Sequence, residues 1–356
     1  MKTQLLVMFG GRSGEYEVSL VSAAAVLRNI PAEKYDITTV GITREGKWYR
    51  FNGDADSIEN GSWTTLTDKL TPCAVSPDYG DGSLILFEKD SVSRIRIDVC
   101  LPVIHGTQGE DGTLQGIFEI AGIPLAGCTA ETCALCMDKA MAKKVLRESG
   151  IRCASDVLLT EKMWRTSRQR LTERAERELR YPIFVKPSRS GSSVGITRVS
   201  CRDELDDAIA EALRWDDKVI LEECIVGREI ETAVFVSADG EITVSECGEI
   251  DPGSDFYDYE TKYKNDRASY FIPARLEADV AAAVRDTAKR AAGLLDIRGL
   301  SRIDFFVTEH ETVYLNEINT MPGFTPISMY PKLMIHSGMT FHQLVDAIIT
   351  EALERK

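Results

Sequence analysis

The chain has 356 residues, 44% hydrophobic and 28% charged, which is the make-up of an ordinary globular protein of two or three domains. A formal charge of −14 argues against a nucleic-acid or anionic-membrane partner, and no apolar stretch approaches the roughly 20 residues that a membrane span needs. Nine cysteines, odd in number and without a regular framework, fit buried thiols in a reducing cytosol better than a disulfide scaffold; Cys128, Cys133 and Cys136 lie close together but have no nearby histidine to complete a metal site.

Residues 5–9 predict a strand rather than a signal peptide. A turn carrying Gly10, Gly11 and Gly14 follows, then a helix over 18–29. Strand, glycine turn and helix open a doubly wound α/β unit, whose ligands sit at the carboxyl ends of the strands. Glu15 stands at the helix start, where a carboxylate also serves as a plain cap. A strand is expected over 35–42 and another after Gly46, whereas 52–82, rich in Gly, Asp, Ser and Thr, reads as loop. A third strand, 97–104, runs into His105 and the glycine-rich, acidic turn 106–113, then a helix over 114–121 and a brief strand over 123–127. The first domain boundary is expected near Gly127.

One helix is expected over 130–149, with Lys139, Lys143 and Lys144 on a solvated face. Strands over 157–160 and 183–186 flank a basic helix, 166–180. Lys186 then leads into Gly191, Ser192, Ser193 and Gly195, either a simple hairpin turn or a backbone cradle for phosphate, since small residues let N–H groups approach an anion. Helix 203–215 and strand 219–223 follow, and Glu222 and Glu229 bracket the turn into strand 230–236 as acceptors for a purine amino group or ribose hydroxyls. The tyrosine-rich stretch 251–272 has no clean period and reads as a functional lid. An amphipathic helix, 278–295, precedes two strands joined by the turn 308–312. Side chains alternate along a strand, so Arg302 and Asp304 share one face and Glu317 and Asn319 share another. Antiparallel pairing brings a cation, two carboxylates and an amide to one spot, a set that suits Mg²⁺. The last helix is expected over 341–355.

The ordered set GGRSGEYEVS, HGTQGEDGTLQG, MDKAMAK, KPSRSGSSVG, EECIVGREIE, FYDYETKY, SRIDFF and NEINTMPGFTPIS resembles the D-alanine–D-alanine ligases, cytoplasmic cell-wall enzymes of the ATP-grasp superfamily, nearly end to end. The resemblance implies a mixed α/β (α+β) fold. An N-terminal doubly wound substrate domain (1–127) would precede central (128–222) and C-terminal (223–356) ATP-grasp subdomains, with a lid at 251–272. It implies joining two D-alanines at the expense of ATP for peptidoglycan precursors, in a protein that is usually a homodimer. Asp304, Glu317 and Asn319 would hold two Mg²⁺ (or Mn²⁺) ions. Lys139, Lys186 and Lys262 would meet the ATP phosphates, and Glu222, the backbone around Cys224 and Ile225, and Glu229 the purine and ribose. Glu15, with Ser192 and Tyr263, would close over the first D-alanine near His105. Arg302 and the Gly323 N–H would stabilise the tetrahedral oxyanion, Ser328 would receive the second carboxylate, and Met329 would line the second side-chain pocket. The chain departs from the family at Pro326-Ile327, where Ser-His is common, so altered packing is expected there. A D-alanine–D-serine ligase and a nucleotide-binding pseudo-ligase are the alternatives.

Overall fold

The computed structural model describes residues 2–191, 194–251, 253 and 269–355. Three sheets organise them. The first contains β1 (Thr3–Gly10), followed by α1 (Tyr16–Leu27), then β2 (Tyr35–Ile42), β3 (Trp48–Phe51), helix α2 (Ala55–Glu59), β4 (Leu70–Val75), β5 (Ser83–Phe87), β6 (Val92–Arg96) and β7 (Val99–Val103). Its order is β6-β5-β4-β3-β2-β1-β7, with β1 parallel to both β2 and β7 and the remaining pairs antiparallel. Both loops at the parallel strand ends, 10–15 and 104–112, therefore open on the same edge, where such sheets bind ligands.

The expected loop 52–82 is instead folded. It carries α2, two short 3-10 turns and β4, because Ile58 and Trp63 are fully buried. Trp63 meets the rings of Phe9 and Phe51 edge-on at 5.0 and 6.1 Å, and its indole N–H donates to the Tyr16 hydroxyl at 3.1 Å. Two apolar anchors outweigh the turn-like composition around them, since burying a large aromatic contributes several kcal/mol, about 3–5 on truncation. The expected strand 123–127 is reduced to one bridge between Leu125 and Cys100, after α3 (Thr113–Ala121).

The expected single helix 130–149 is two, α4 (Ala130–Met137) and α5 (Lys139–Glu148). Asp138 leaves helical geometry at ψ 91° and caps α5, its carboxylate accepting the Met141 N–H at 3.2 Å. The break re-aims α5 so that Lys143, expected in solvent, is only 2% exposed. A four-stranded antiparallel sheet follows: β8 (Asp156–Thr160), α6 (Glu161–Glu178), β9 (Ile183–Pro187), β10 (Thr197–Val199), α7 (Arg202–Ala212) and β11 (Lys218–Glu223), ordered β10-β9-β11-β8. Its apolar face packs on α6 and α7 through Val185, Leu221, Leu171 and Ile209.

The third sheet is also antiparallel. It comprises β12 (Arg228–Val236), β13 (Ile242–Val244), β14 (Gly248–Asp251), β15 (Ser269–Phe271), then, after α8 (Ala278–Leu294), β16 (Gly299–Val307) and β17 (Val313–Asn319). α8 covers one face through Val280, Val284 and Ala288. α9 (Met329–His336) and α10 (Phe341–Glu354) return to the first sheet, where Tyr330, Leu333 and Ile348 share a core with Leu5, Val7 and Phe9. This return sets the loop after β17 against the loops after β1 and β7. All nine cysteines are free and seven are buried. No helix among the described residues is long and apolar enough to cross a membrane.

Candidate active site

One cavity lies where the three sheets meet, lined by Glu15, His105, Glu110, Lys139, Gly191, Glu231, Arg302, Glu317, Asn319, Gly323, Ser328 and Met329, among others. Its floor is the β16–β17 pair. Arg302 lies opposite Asn319 and Asp304 opposite Glu317, and a register shift follows Asp304. Arg302 Nε and Nη2 donate to the two Asp304 oxygens at 2.8 and 2.7 Å, and Asn319 Nδ2 donates to Asp304 Oδ2 at 3.1 Å. Two carboxylates directly opposite each other are unfavourable in a sheet unless a cation offsets them. Here Arg302 compensates Asp304, and Lys139 Nζ lies 3.5 Å from Glu317. The donor set is all oxygen, two carboxylates and an amide that bonds Asp304 through its nitrogen, which is what a small hard divalent cation takes. The residues present therefore fit such an ion.

At the N-terminal side, Gly10 has φ +88° and a Cβ there would sit 2.2 Å from Ile42 O, so only glycine lets the strand turn this sharply. Glu15 occupies the cap position of α1 but makes no side-chain cap bond. Its carboxylate instead lies against two glycines: a Cβ on Gly106 would meet Glu15 Oε2 at 2.3 Å, and one on Gly191 at 2.9 Å. Glu15 thus bridges the β7 loop and the Gly/Ser turn after β9.

His105 is 2% exposed. Met321 O, 2.9 Å from Nδ1, accepts only, so Nδ1 carries the proton and Nε2, 3.0 Å away, accepts from the Ser22 hydroxyl. Ser22 Oγ also accepts the Phe324 N–H at 3.1 Å, so His105 buckles the first sheet to the loop after β17. Burial holds the imidazole below its usual range. Glu110, in the acidic turn after β7, is half-buried at the cavity wall, and its Oε1 accepts the Gly106 N–H at 2.8 Å. Burial, and then the charge of Glu15, push its carboxyl up to about 8. Glu231 was not expected in the site at all, yet lines the cavity with its Oε2 3.1 Å from Arg302 Nε. It holds the guanidinium edge that Asp304 also holds.

The opposite end is basic. Lys139 Nζ donates to Ser190 O at 2.6 Å, and Asp138 accepts from Ser188 Oγ at 2.8 Å, which ties α5 to the turn after β9. Arg189 and Asp216 fix that turn from outside, with a backbone bond of 2.8 Å and a two-point guanidinium contact. Lys186 and Lys143 each contact a different oxygen of Glu222, so any purine contact by Glu222 uses its remaining lone pairs. Cys224 and Ile225, on the link from β11 to β12, and Glu229, at the start of β12, are partly exposed. On the far side, a Cβ on Gly323 would come within 2.7 Å of Ser328 Oγ, which accepts the Thr325 N–H at 3.1 Å. Met329 is 3% exposed and its Cε fills the space a Cβ on Gly248 would occupy. Pro326 and Ile327 are exposed on the loop, Ile327 lining the cavity mouth. Ser192, Lys262, Tyr263 and most of the expected lid lie outside the described residues.

A family model described as "D-ala D-ala ligase N-terminus" matches residues 4–128, and one described as "D-ala D-ala ligase C-terminus" matches 145–350. The chain is 42% identical to the D-alanine–D-alanine ligase of Caldicellulosiruptor bescii over 355 residues, covering 99% of this chain and 96% of that one. It is also 42% identical to the D-alanine–D-alanine ligase of Clostridium acetobutylicum over 356 residues, covering 100% and 99%. Among solved structures it is similar to the VanG D-Ala:D-Ser ligase from Enterococcus faecalis, with TM-score 0.90, 39% identity and coverage of 99% and 100%. The D-alanine–D-alanine ligase from Coxiella burnetii superposes with TM-score 0.85 at 33% identity, covering 99% and 94%.

Proposed function

The chain belongs to the D-alanine–D-alanine ligase family, and from that premise we propose that it joins two D-alanines with ATP to give D-alanyl-D-alanine, ADP and phosphate. The observation that carries the reading is the cavity in which two acids, Glu15 and Glu110, and a lysine, Lys139, flank a floor formed by Arg302 and Glu317, with Lys139 Nζ 3.5 Å from the Glu317 carboxylate. An amino acid brings an ammonium group to the acids, and a nucleotide brings phosphates to the lysine.

A carboxylate is a poor acyl donor. Transfer of the γ-phosphoryl group to the carboxylate of the first D-alanine forms an acyl phosphate and ADP. The neutral amine of the second D-alanine then attacks that carbonyl, phosphate leaves, and the amine gives up a proton. In this scheme Glu15 holds the first ammonium, and Lys139 and Lys186 hold the phosphates. Glu222, the backbone at Cys224 and Ile225, and Glu229 take the purine and ribose. Arg302, fixed by Asp304 and Glu231, and the Gly323 N–H face the developing oxyanion, where preorganised donors contribute most. Ser328 takes the second carboxylate. Asp304, Glu317 and Asn319 would hold Mg²⁺, which would offset the charge of the transferring phosphoryl group.

Met329 offers the second side chain a thioether, a weak acceptor that suits a methyl group better than a hydroxyl. We therefore place D-alanine ahead of D-serine at the second position, although VanG, a D-Ala:D-Ser ligase, is a near structural relative. The free thiols and the need for ATP favour the cytoplasm, and the family resemblance favours a homodimer. Phosphate release measured with ATP, Mg²⁺ and each D-amino acid in turn tests the reading. D-alanine alone should support turnover and L-alanine should not; no release with D-alanine contradicts it.

A further inference from the structure

Lys143 is not itself assigned to any substrate group, yet it is among the most deeply buried large side chains of the described residues. It stands four residues after Lys139 on α5, so both project from one face of the helix. Its ammonium contacts Glu222 Oε1 while that of Lys186 contacts Glu222 Oε2; Lys143, Lys186 and Glu222 are 2%, 8% and 3% exposed. Two ammonium groups on one carboxylate are an unusual arrangement for a buried cluster. A single buried pair would be neutral, and a third charge adds a desolvation cost with no second carboxylate in contact among the described residues. Burial pushes Lys143 down to about 7 and Lys186 well below the usual lysine range, so the excess charge is held at a cost to the unliganded protein. An anion arriving beside Lys186 removes that cost, because an opposite charge favours the charged form.

We propose that Lys143 is a positioning residue of the nucleotide site, satisfying Glu222 from the α5 side so that the Lys186 ammonium stays available to the phosphates of the nucleoside triphosphate. Without Lys143, Glu222 has only Lys186 to pair with among the described residues, and the pair closes on itself. This rests on the reading that the cavity binds ATP.

The test is a double-mutant cycle with Lys143→Met, which keeps length and volume, and Glu222→Gln, reading KM for ATP and for D-alanine separately. In the wild-type background Lys143→Met should raise KM for ATP by about tenfold or more with KM for D-alanine little changed, tenfold being the smallest loss expected when a buried charge partner is removed. In the Glu222→Gln background the same change should cost less than about threefold, because there is no carboxylate left to capture Lys186. Equal losses in both backgrounds, or no loss in the first, overturn the proposal. If Lys143→Met alone fails to fold, the double variant decides: KM for ATP within about threefold of Glu222→Gln supports the proposal, and a larger loss overturns it. Wild-type protein that turns over no ATP with D-alanine refutes the proposed ligase activity instead, a separate result.

Discussion

The two sides of the candidate site carry opposite charge. At one, Glu15 and Glu110 lie beside neutral His105, and the proximity of the two acids helps keep a proton on Glu110. At the other, Lys143 and Lys186 share Glu222, with Lys139 one helical turn away. The acid end has the sign that complements an ammonium group, and the basic end the sign that complements a polyphosphate. Between them, the β16–β17 floor is closely compensated: Arg302 serves Asp304 and Glu231, and Lys139 faces Glu317. Binding at the ends is thus a matter of completing charge, whereas chemistry in the middle is a matter of keeping charges where they already are.

The largest expected effect is at the floor. Glu317→Ala removes a carboxylate shared by the metal set and Lys139, and should lower kcat by about a thousandfold or more with the fold intact, the scale of losing a group that acts chiefly in the transition state. Steady-state ADP release together with far-UV circular dichroism checks both halves. Turnover within tenfold of wild type at saturating Mg²⁺ would remove Glu317 from the metal set.

At the acid end, Glu15→Gln should raise KM for D-alanine by about ten- to a hundredfold while moving KM for ATP by less than about threefold, since a charged hydrogen bond to ammonium is worth roughly 1.5–3 kcal/mol. A matched rise in both constants would mean that the two ends are not separate sites.

A smaller effect separates Glu110 from its neighbours. Its folded-state pKa of about 8 lies above the ordinary 4.5, so between those values the native protein keeps a proton that the unfolded chain has lost. Its contribution to stability is present below pH 4.5 and is lost as pH rises towards 8. His105 acts in the opposite sense, since burial lowers its pKa and its contribution fades as pH falls below 6.5. Comparing wild type with Glu110→Gln isolates the first term. The variant, which keeps an acceptor for the Gly106 N–H, should gain in Tm relative to wild type as pH goes from 5 to 8. A Tm difference constant over that range would show that Glu110 is ionised in the native state.

These regions were unequally legible in the sequence. The floor could be read because strand alternation and a short turn fix which side chains of residues 299–319 meet, with no help from the rest of the chain. Glu110, Lys143 and Glu231 could not, because their surroundings depend on elements that meet only in three dimensions. Lys143 sits in a run of charge that reads as a wet helix face, and only the turn of direction at Asp138 drives it inward. The Asp-x-x-Met spacing before α5 is a helix-start signal that was there to be used. The segment 52–82 hid its structure for the converse reason: its composition is that of a loop, and two buried side chains, Ile58 and Trp63, decide otherwise. Pro326-Ile327 stood out as a departure from the family, and the structure puts Ile327 at the cavity mouth beside Ser328 and Met329.

That mouth is where the account is most directly tested. With ATP, Mg²⁺ and equal concentrations of D-alanine and D-serine, the dipeptides can be separated and counted against ADP. Discrimination against an added hydroxyl by an apolar pocket is on the order of a hundredfold. The account predicts one ADP per dipeptide, mostly D-alanyl-D-alanine, with D-alanyl-D-serine as a minor product; a mixture dominated by D-alanyl-D-serine, or ADP without dipeptide, would contradict it.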